Sequence, residues 1–262
     1  VLTSRGNYGK MKSIMRLIQS DPFFDLRVVV GGSLLLDKYG RILDSEFTDH
    51  IPISYQLNFV IEGENLATMA KSAGLALIEL SSAFQNLQPD VVIVIADRFE
   101  CLPVAMAAAY MNIPVAHVEG GEISGSIDES IRHAITKLAH VHFPASPGAA
   151  ERIIRMGEPA DSVFCVGSSS LDVLRETPTE LELVRQYQDS HGVGTRVSLE
   201  PRGFLLVIQH PVTSEYSDNY RNAQQTINAI DDLKWPTIWI WPNMDAGSDG
   251  ISKAIREFRE RT

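Results

Sequence analysis

Cysteine is scarce in this sequence: Cys101 and Cys165 are the two present among 262 residues. They stand far apart with no metal-ligand spacing around them, so neither a disulfide framework nor a metal site is encoded. Both are read as reduced thiols in apolar surroundings. Basic charge is also short, with 23 Lys and Arg against 33 Asp and Glu, giving a formal net charge of −10. A nucleic-acid partner needs a basic face, which argues against one here; a small anionic ligand is recognised by local loops and stays open. Long apolar runs are missing as well. The longest, around Val91–Ala96, falls far below the roughly 18–20 residues that span a bilayer. No basic stretch leads into an apolar core either. A membrane partner and a secretory signal are therefore not expected, and the cytoplasm is the expected compartment.

What is there is an ordinary globular composition, 44% hydrophobic and 21% charged, on a chain long enough for two domains. Short β-branched runs mark strands at Leu26–Val30, Asp90–Ile95, Pro114–His117, Val163–Val166, Phe204–Ile208 and Thr237–Trp241. Between them, apolar residues at helical spacing mark helices at Lys10–Ile18, Asn65–Leu87, Leu102–Met111, Ser130–Leu138, Ala149–Met156, Asn219–Leu233 and Ser252–Arg261. Continuous apolar strands separated by helices predict an α/β chain of doubly wound parallel sheets. A break is expected across Glu176–Gly203. It divides an N-terminal Rossmann-like domain (1–176), a linker (177–202) and a partial C-terminal Rossmann-like domain (203–262). The opening Val1-Leu2-Thr3 reads as the end of a strand and the stop at Thr262 falls in or just after a helix, so a truncated second domain is expected.

Ligands of such sheets bind beyond the carboxyl ends of the strands, so those ends carry the search for function. After the first strand comes Thr3-Ser4-Arg5-Gly6-Asn7-Tyr8-Gly9-Lys10. Gly6 and Gly9 are expected to turn the backbone tightly at a helix N-terminus, with Arg5 and Lys10 available to a phosphate. After Val91–Ala96 comes Asp97-Arg98-Phe99-Glu100, where Asp97 reads equally well as a helix N-cap and as a functional acid. Arg98 can pair with a carboxylate or reach a phosphate. Glu119-Gly120-Gly121-Glu122 follows the next strand and sets two carboxylates on what reads as a mobile loop. Then Ser124-Gly125-Ser126-Ile127-Asp128-Glu129 opens a helix on which Asp128 and Arg132, and also Glu129 and His133, share a face. In the second domain His210 and Pro211 end one strand, and Pro242–Ser248, with Asn243 and Ser248 as neutral hydrogen-bonding groups, end the other.

These segments, taken in order, resemble the hydrolysing UDP-N-acetylglucosamine 2-epimerases of sialic-acid-type sugar biosynthesis. The block from His117 to His140 carries most of the likeness, and its double-glycine loop with Arg132-His133-Ala134-Ile135-Thr136-Lys137 sets it apart from the non-hydrolysing branch. The resemblance implies a GT-B-like architecture, two Rossmann-like domains facing a cleft that holds a UDP-sugar. It implies loss of UDP to give a 2-acetamidoglucal-like intermediate, then addition of water to leave a free ManNAc-type sugar, with no cofactor and no metal. By motif it implies Asp97, Glu119 and Asp128 as the acid/base set and His210, Arg5 and Arg98 as diphosphate partners. Asn243 and Ser248 fall to the nucleotide, and Lys10 and Gly9 to the substrate loop. Relatives are commonly homo-oligomers, which is the expectation here.

Three departures accompany the likeness. Gly6 and Asn7 stand where relatives read Arg-Ala-Asp/Glu-Tyr, and Leu34 where they often carry histidine. The family's Gly-Asn-Ser-Ser-type phosphate loop does not occur before Thr262, which predicts weak nucleotide binding and sets an inactive GT-B-like binding fragment beside the enzyme reading. A UDP-N,N'-diacetylbacillosamine 2-epimerase of the same mechanism is the nearest alternative. Glycosyl transfer on this fold is a remote one.

Overall fold

Strands form where β-branched residues run together and helices where apolar residues recur at 3.6 spacing, and the chain alternates between the two. The structure, a computed structural model, describes residues 1–37 and 51–261. The chain forms two compact units, Val1–Glu62 with Ala67–Glu176, and Gly63–Leu66 with Thr177–Thr262.

The first unit holds α1 (Arg5–Ser20), β1 (Val28–Gly31), β2 (Ile53–Leu57), most of α2 (Leu66–Leu87), β3 (Val92–Ile95), α3 (Cys101–Tyr110), β4 (Val115–Val118), α4 (Ile127–Leu138), β5 (Val141–Phe143), α5 (Pro147–Arg155) and α6 (Ser170–Glu176). β1 pairs with β2, and β3, β4 and β5 pair in that order, all parallel. Residues 1–3 join the two ladders. Leu2 bridges Val30 in parallel, and the Val1 amino group donates to the Ile93 carbonyl at 3.0 Å. The order is therefore β2, β1, residues 1–3, β3, β4, β5. The chain winds outward to one side of residues 1–3 and then to the other. The switch point falls between residues 1–3 and β3, where the loops that follow them diverge and leave room for a ligand. Leu2, Met11, Met15, Val30, Ile95 and Val118 are buried together in the core that seats α1 on this sheet.

The second unit holds α7 (Leu181–His191), β6 (Leu205–Ile208), α8 (Asn219–Leu233), β7 (Thr237–Ile240) and α9 (Ser248–Arg259). β6 and β7 pair in parallel from Leu205↔Thr237 to Ile208↔Ile240. Ala223 and Ile227 of α8 pack on Ile251 and Ala254 of α9. Among the described residues no helix is long and apolar enough to cross a membrane.

Several sequence expectations are corrected. Val163–Val166 is not a strand: Val163 makes one isolated bridge to His142, and only the Phe164 and Val166 N–H groups reach the neighbouring segment, at His142 and Pro144. Its side chains are accordingly turned outward, and Cys165 is exposed rather than in an apolar setting; Cys101 is the buried thiol. Ile53–Leu57 and Val141–Phe143 are strands that the pattern missed, the first because Ser54 and Gln56 break its apolar run, the second because three residues are too short to show a period. The stretch 177–202, expected as a linker, contains α7 and groups with the second unit. Its apolar Leu181, Val184 and Tyr187 recur at helical spacing within an otherwise polar run. Gly6 and Gly9 do not form a tight turn. Both lie inside α1, which Ser4 caps by accepting from the Asn7 N–H.

The glycines separate cleanly into required and permissive positions. Gly121 has φ of 82°, and a Cβ there would meet the Ala149 carbonyl oxygen and lie 2.9 Å from Ile153 Cγ1. Gly121→Ala is expected to destabilise the protein by roughly 2–4 kcal/mol through left-handed strain and overpacking. A Cβ at helical Gly9 meets nothing within 4 Å. Gly9→Ala is expected to stabilise by about 0.5–1 kcal/mol. Denaturant unfolding of both variants checks the pair, and equal effects would sink the assignment.

Candidate active site

The carboxyl ends of β3 and β4 lie side by side, Ile95 opposite Val118, and each strand is followed at once by a left-handed residue that is not glycine. Ala96 has φ of 60° and Glu119 has φ of 59°. Such a conformation costs roughly 1–2 kcal/mol at each position and persists only where the surroundings enforce it. Backbone bonds hold both, the Ala96 N–H donating to the Val118 carbonyl and the Glu119 N–H to the Phe143 carbonyl at 2.9 Å each, and His117 adds a further tie. It is fully buried, its Nε2 lies 2.9 Å from the Ala96 carbonyl and its Nδ1 3.2 Å from the Thr136 hydroxyl. A carbonyl can only accept, so Nε2 carries the proton and donates, leaving Nδ1 as an acceptor. The imidazole thus bonds the end of β3 from beneath the β4 turn and faces Thr136 of α4, whose hydroxyl donates to the Arg132 carbonyl at 3.0 Å. Gly120 makes this possible, since a Cβ there would sit 2.8 Å from the ring.

Glu119, 8% exposed, leaves this turn with both carboxylate oxygens engaged. Lys10 Nζ donates to Oε2 at 2.6 Å, and the Ser168 hydroxyl donates to Oε1 at 2.6 Å. Asp97 stands after β3 and forms an ion pair with the buried Arg132 of α4. It does not cap α3, which starts at Cys101 with Glu100 before it, so the N-cap alternative for Asp97 falls. Arg98 donates through Nε and Nη2 to the fully buried Glu100 at 3.3 and 3.2 Å, taking the carboxylate option.

Asp128 lies in the first turn of α4, one turn before Arg132. Ser126 caps the helix, its oxygen accepting from the Asp128 N–H at 3.2 Å while its hydroxyl faces Asp128 Oδ2 at 3.3 Å. Glu129 reaches back to accept from both the Ser124 and Gly125 N–H groups at 2.8 Å, and these bonds hold its carboxyl below the usual range. The loop from Glu119 to Ser126 is therefore not the mobile carrier expected. Arg152 donates to the Gly121 carbonyl, Arg132 to the Glu122 carbonyl at 2.6 Å, and Ser146 to Glu122 Oε1 at 2.8 Å.

In the second unit His210 follows β6 and Asn243 follows β7. The Asn243 N–H donates to His210 Nδ1 at 3.2 Å, and Asn243 Oδ1 accepts from the Asp245 N–H at 3.2 Å. Ser248 opens α9 behind Gly247, which has φ of 97°. It is buried, with no protein hydrogen bond to its hydroxyl among the described residues. Arg5 begins α1 and its side chain lies outside the described residues, while Gly9 is a plain helical position.

The predicted residues thus divide between the units: in the first Lys10 pairs with Glu119, and Asp97 pairs with Arg132 one turn from Asp128, while in the second His210 is joined to Asn243 and Ser248 opens α9. Sequence reasoning missed Ser168, and it took Arg132 for a neighbour of Asp128 alone. The missed signal was Gly167-Ser168-Ser169-Ser170, a hydroxyl run directly after an apolar segment.

Burial holds His117 neutral and lowers its pKa from 6.5 to about 4, against the opposing hydrogen bond to Ala96. Between those values the unfolded chain binds a proton that the folded ring rejects. The stability from this neutral ring is present above about pH 6.5 and is lost as pH falls toward 4, by up to about 3 kcal/mol. Denaturant unfolding at a series of pH values is expected to show this rise, and His117→Asn to flatten it by close to one proton. An unchanged slope in that variant would refute the assignment. Arg132→Met, which strands Asp97 and the Glu122 carbonyl, is expected to cost roughly 3 kcal/mol in the same assay.

The chain matches the family described as UDP-N-acetylglucosamine 2-epimerase over residues 16–262. It is similar to the UDP-N,N'-diacetylbacillosamine 2-epimerase (hydrolyzing) of Legionella pneumophila, at 33% identity over 98% of this chain and 67% of that one. It is also similar to the UDP-N-acetylglucosamine 2-epimerase of Neisseria meningitidis serogroup B, at 30% identity over 98% of this chain and 65% of that one. The chain spans about two thirds of the length of these curated relatives. Among solved structures, the Methanocaldococcus jannaschii UDP-GlcNAc 2-epimerase in complex with UDP-GlcNAc and UDP superposes with a TM-score of 0.74 at 21% identity, covering 98% of this chain and 67% of that one. That likeness is one of fold, a GT-B-like α/β architecture. With a family match over nearly its whole length, this chain belongs to the UDP-N-acetylglucosamine 2-epimerase family.

Proposed function

We propose that the protein is a hydrolysing 2-epimerase that converts a UDP-linked N-acetylhexosamine into UDP and a free sugar inverted at C2. The observation that carries this reading is Glu119, a buried carboxylate on a strained turn at the carboxyl end of β4, beside Asp97 at the end of β3. An acid held there in one geometry suits proton transfer at a sugar carbon. In the first step the C2–H bond breaks and its proton passes to a carboxylate. The freed electron pair forms the C1–C2 double bond, and UDP departs from C1. In the second step water adds across that bond, its oxygen joining C1 as a carboxylate takes its proton, while a carboxylic acid on the opposite face gives a proton to C2.

Glu119 is assigned the C2 proton and Asp128 the water. Asp97, paired with Arg132, is assigned to the departing oxygen or to orienting the others. Arg5 is assigned to the diphosphate, whose charge grows as the glycosidic bond breaks, with Lys10 and Gly9 nearest the sugar, whereas Arg98 is taken up by Glu100; in the second unit His210 is assigned to phosphate. Asn243 and Ser248 are assigned to the nucleotide, and the buried unsatisfied Ser248 hydroxyl at the start of α9 supports a polar ligand there. The Legionella likeness favours a second substrate reading, a diacetylated UDP-sugar, with the same steps.

Proton NMR of the full-length protein with UDP-GlcNAc and its diacetamido analogue in deuterated water tests this. Free sugar with inverted C2 bearing deuterium, together with UDP, is the expected result. A product still attached to UDP, or no turnover of either sugar, would refute the hydrolysing function. Glu119→Gln is expected to lower kcat by about 10²–10⁴-fold while the protein stays folded, since the amide keeps the size of the acid but loses its charge, its basicity and one acceptor oxygen. A variant that turns over at the wild-type rate would remove Glu119 from the chemistry.

A further inference from the structure

Glu119 is gripped by groups from two distant parts of the chain, and one of them, Ser168, lies outside the motifs that carry the family likeness. Ser168 precedes α6 and follows Gly167, whose φ of 85° turns the chain there. Its hydroxyl donates to Glu119 Oε1 at 2.6 Å, opposite the Lys10 ammonium on Oε2 at 2.6 Å. The next residue, Ser169, donates its hydroxyl to the Lys10 carbonyl. Two adjacent serines therefore bind the acid and the helix that brings its counter-ion.

We infer that Ser168 is a positioning residue that orients the Glu119 carboxylate for proton transfer at the sugar C2, a role that rests on the function proposed above. Lysine alone cannot do this. An ammonium is a compact charge on a flexible stem, and one contact to one oxygen leaves the carboxylate plane free to rotate. A second contact on the other oxygen fixes that plane, and reaction rates fall steeply when a reacting group is misplaced by about 1 Å.

The chemistry also selects a hydroxyl. When the C2–H bond breaks, Glu119 takes the proton, the electron pair becomes the C1–C2 double bond and UDP leaves with the electrons of the C1–O bond. Glu119 changes from carboxylate to carboxylic acid. A hydroxyl donates to the first and accepts from the second, so Ser168 holds its place in both states. An ammonium only donates, and its bond weakens if the proton settles on that oxygen.

The test is steady-state kinetics of the full-length protein with the UDP-sugar that the wild type turns over, together with deuterium incorporation at C2. Ser168→Ala is expected to lower kcat by about 10- to 100-fold, the worth of one hydrogen bond to a charged group, with KM within about twofold of wild type. Incorporation of deuterium falls in parallel, and Ser168→Thr restores most of the lost rate. If the alanine variant does not accumulate as folded protein, Ser168→Cys, close in size but a weak donor, is expected to show the same drop. A wild-type kcat in Ser168→Ala, a loss confined to KM, or a threonine variant as slow as alanine overturns the role of Ser168. A wild type that turns over no UDP-sugar overturns the function itself, so the two failures are told apart.

Discussion

The first unit is organised around one buried imidazole. Adjacent parallel strands β3 and β4 both end in left-handed residues, and neither Ala96 nor Glu119 would choose that conformation alone. Backbone bonds hold the arrangement and His117 ties it further, donating to the Ala96 carbonyl while its other nitrogen faces Thr136. One net hydrogen bond contributes only about 0.5–1.5 kcal/mol, less than the strain of the two turns together, so packing must supply the rest. It does so by closing the space above the ring, where Gly120 has no Cβ, and below the loop, where Gly121 meets α5. Two of the left-handed residues thus stand at the strand ends where the acid is presented.

Charge is arranged with the same economy of position. The first unit does not leave its acids loose on a loop. Asp97 is matched by Arg132, Glu119 by Lys10 and Ser168, and Glu129 by two backbone N–H groups. Arg132 has a double duty, since it also holds the Glu122 carbonyl and with it the loop between Glu119 and Asp128. A carboxylate whose surroundings are rigid needs little reorganisation when a proton moves, and that is the physical value of ordering the loop. In the second unit the Asn243 N–H donates to His210 Nδ1, joining the two strand ends.

Much of this was legible from residues alone. β3, β4, β6 and β7 were visible as continuous β-branched runs, and their helices as 3.6-residue periods; for β3 and β4 the cause is burial on both faces, which leaves little room for polar residues. Asp97 and Glu119 could be singled out because they follow such runs directly. Elements without that pattern were not visible. Val141–Phe143 is too short to show a period, Ile53–Leu57 alternates with polar residues, and Val163–Val166 has strand composition but only one bridge to pair with. Gly6 and Gly9 looked like a turn because glycine permits one, whereas Ser4 capping makes them helix. The α7 residues within 177–202 were too sparse in apolar character to stand out from their polar surroundings.

The sequence by itself determined the α/β alternation, the family and the places along the chain where acids leave the strands, since each depends on local pattern or order. Only the tertiary structure decided which groups face those acids. Ser168 and Lys10 meet on Glu119 from positions 49 and 109 residues away, and Arg132 turns to Asp97 rather than to its helical neighbour Asp128. Such pairings depend on how strands and helices pack across the sheet, and no spacing along the chain records that distance.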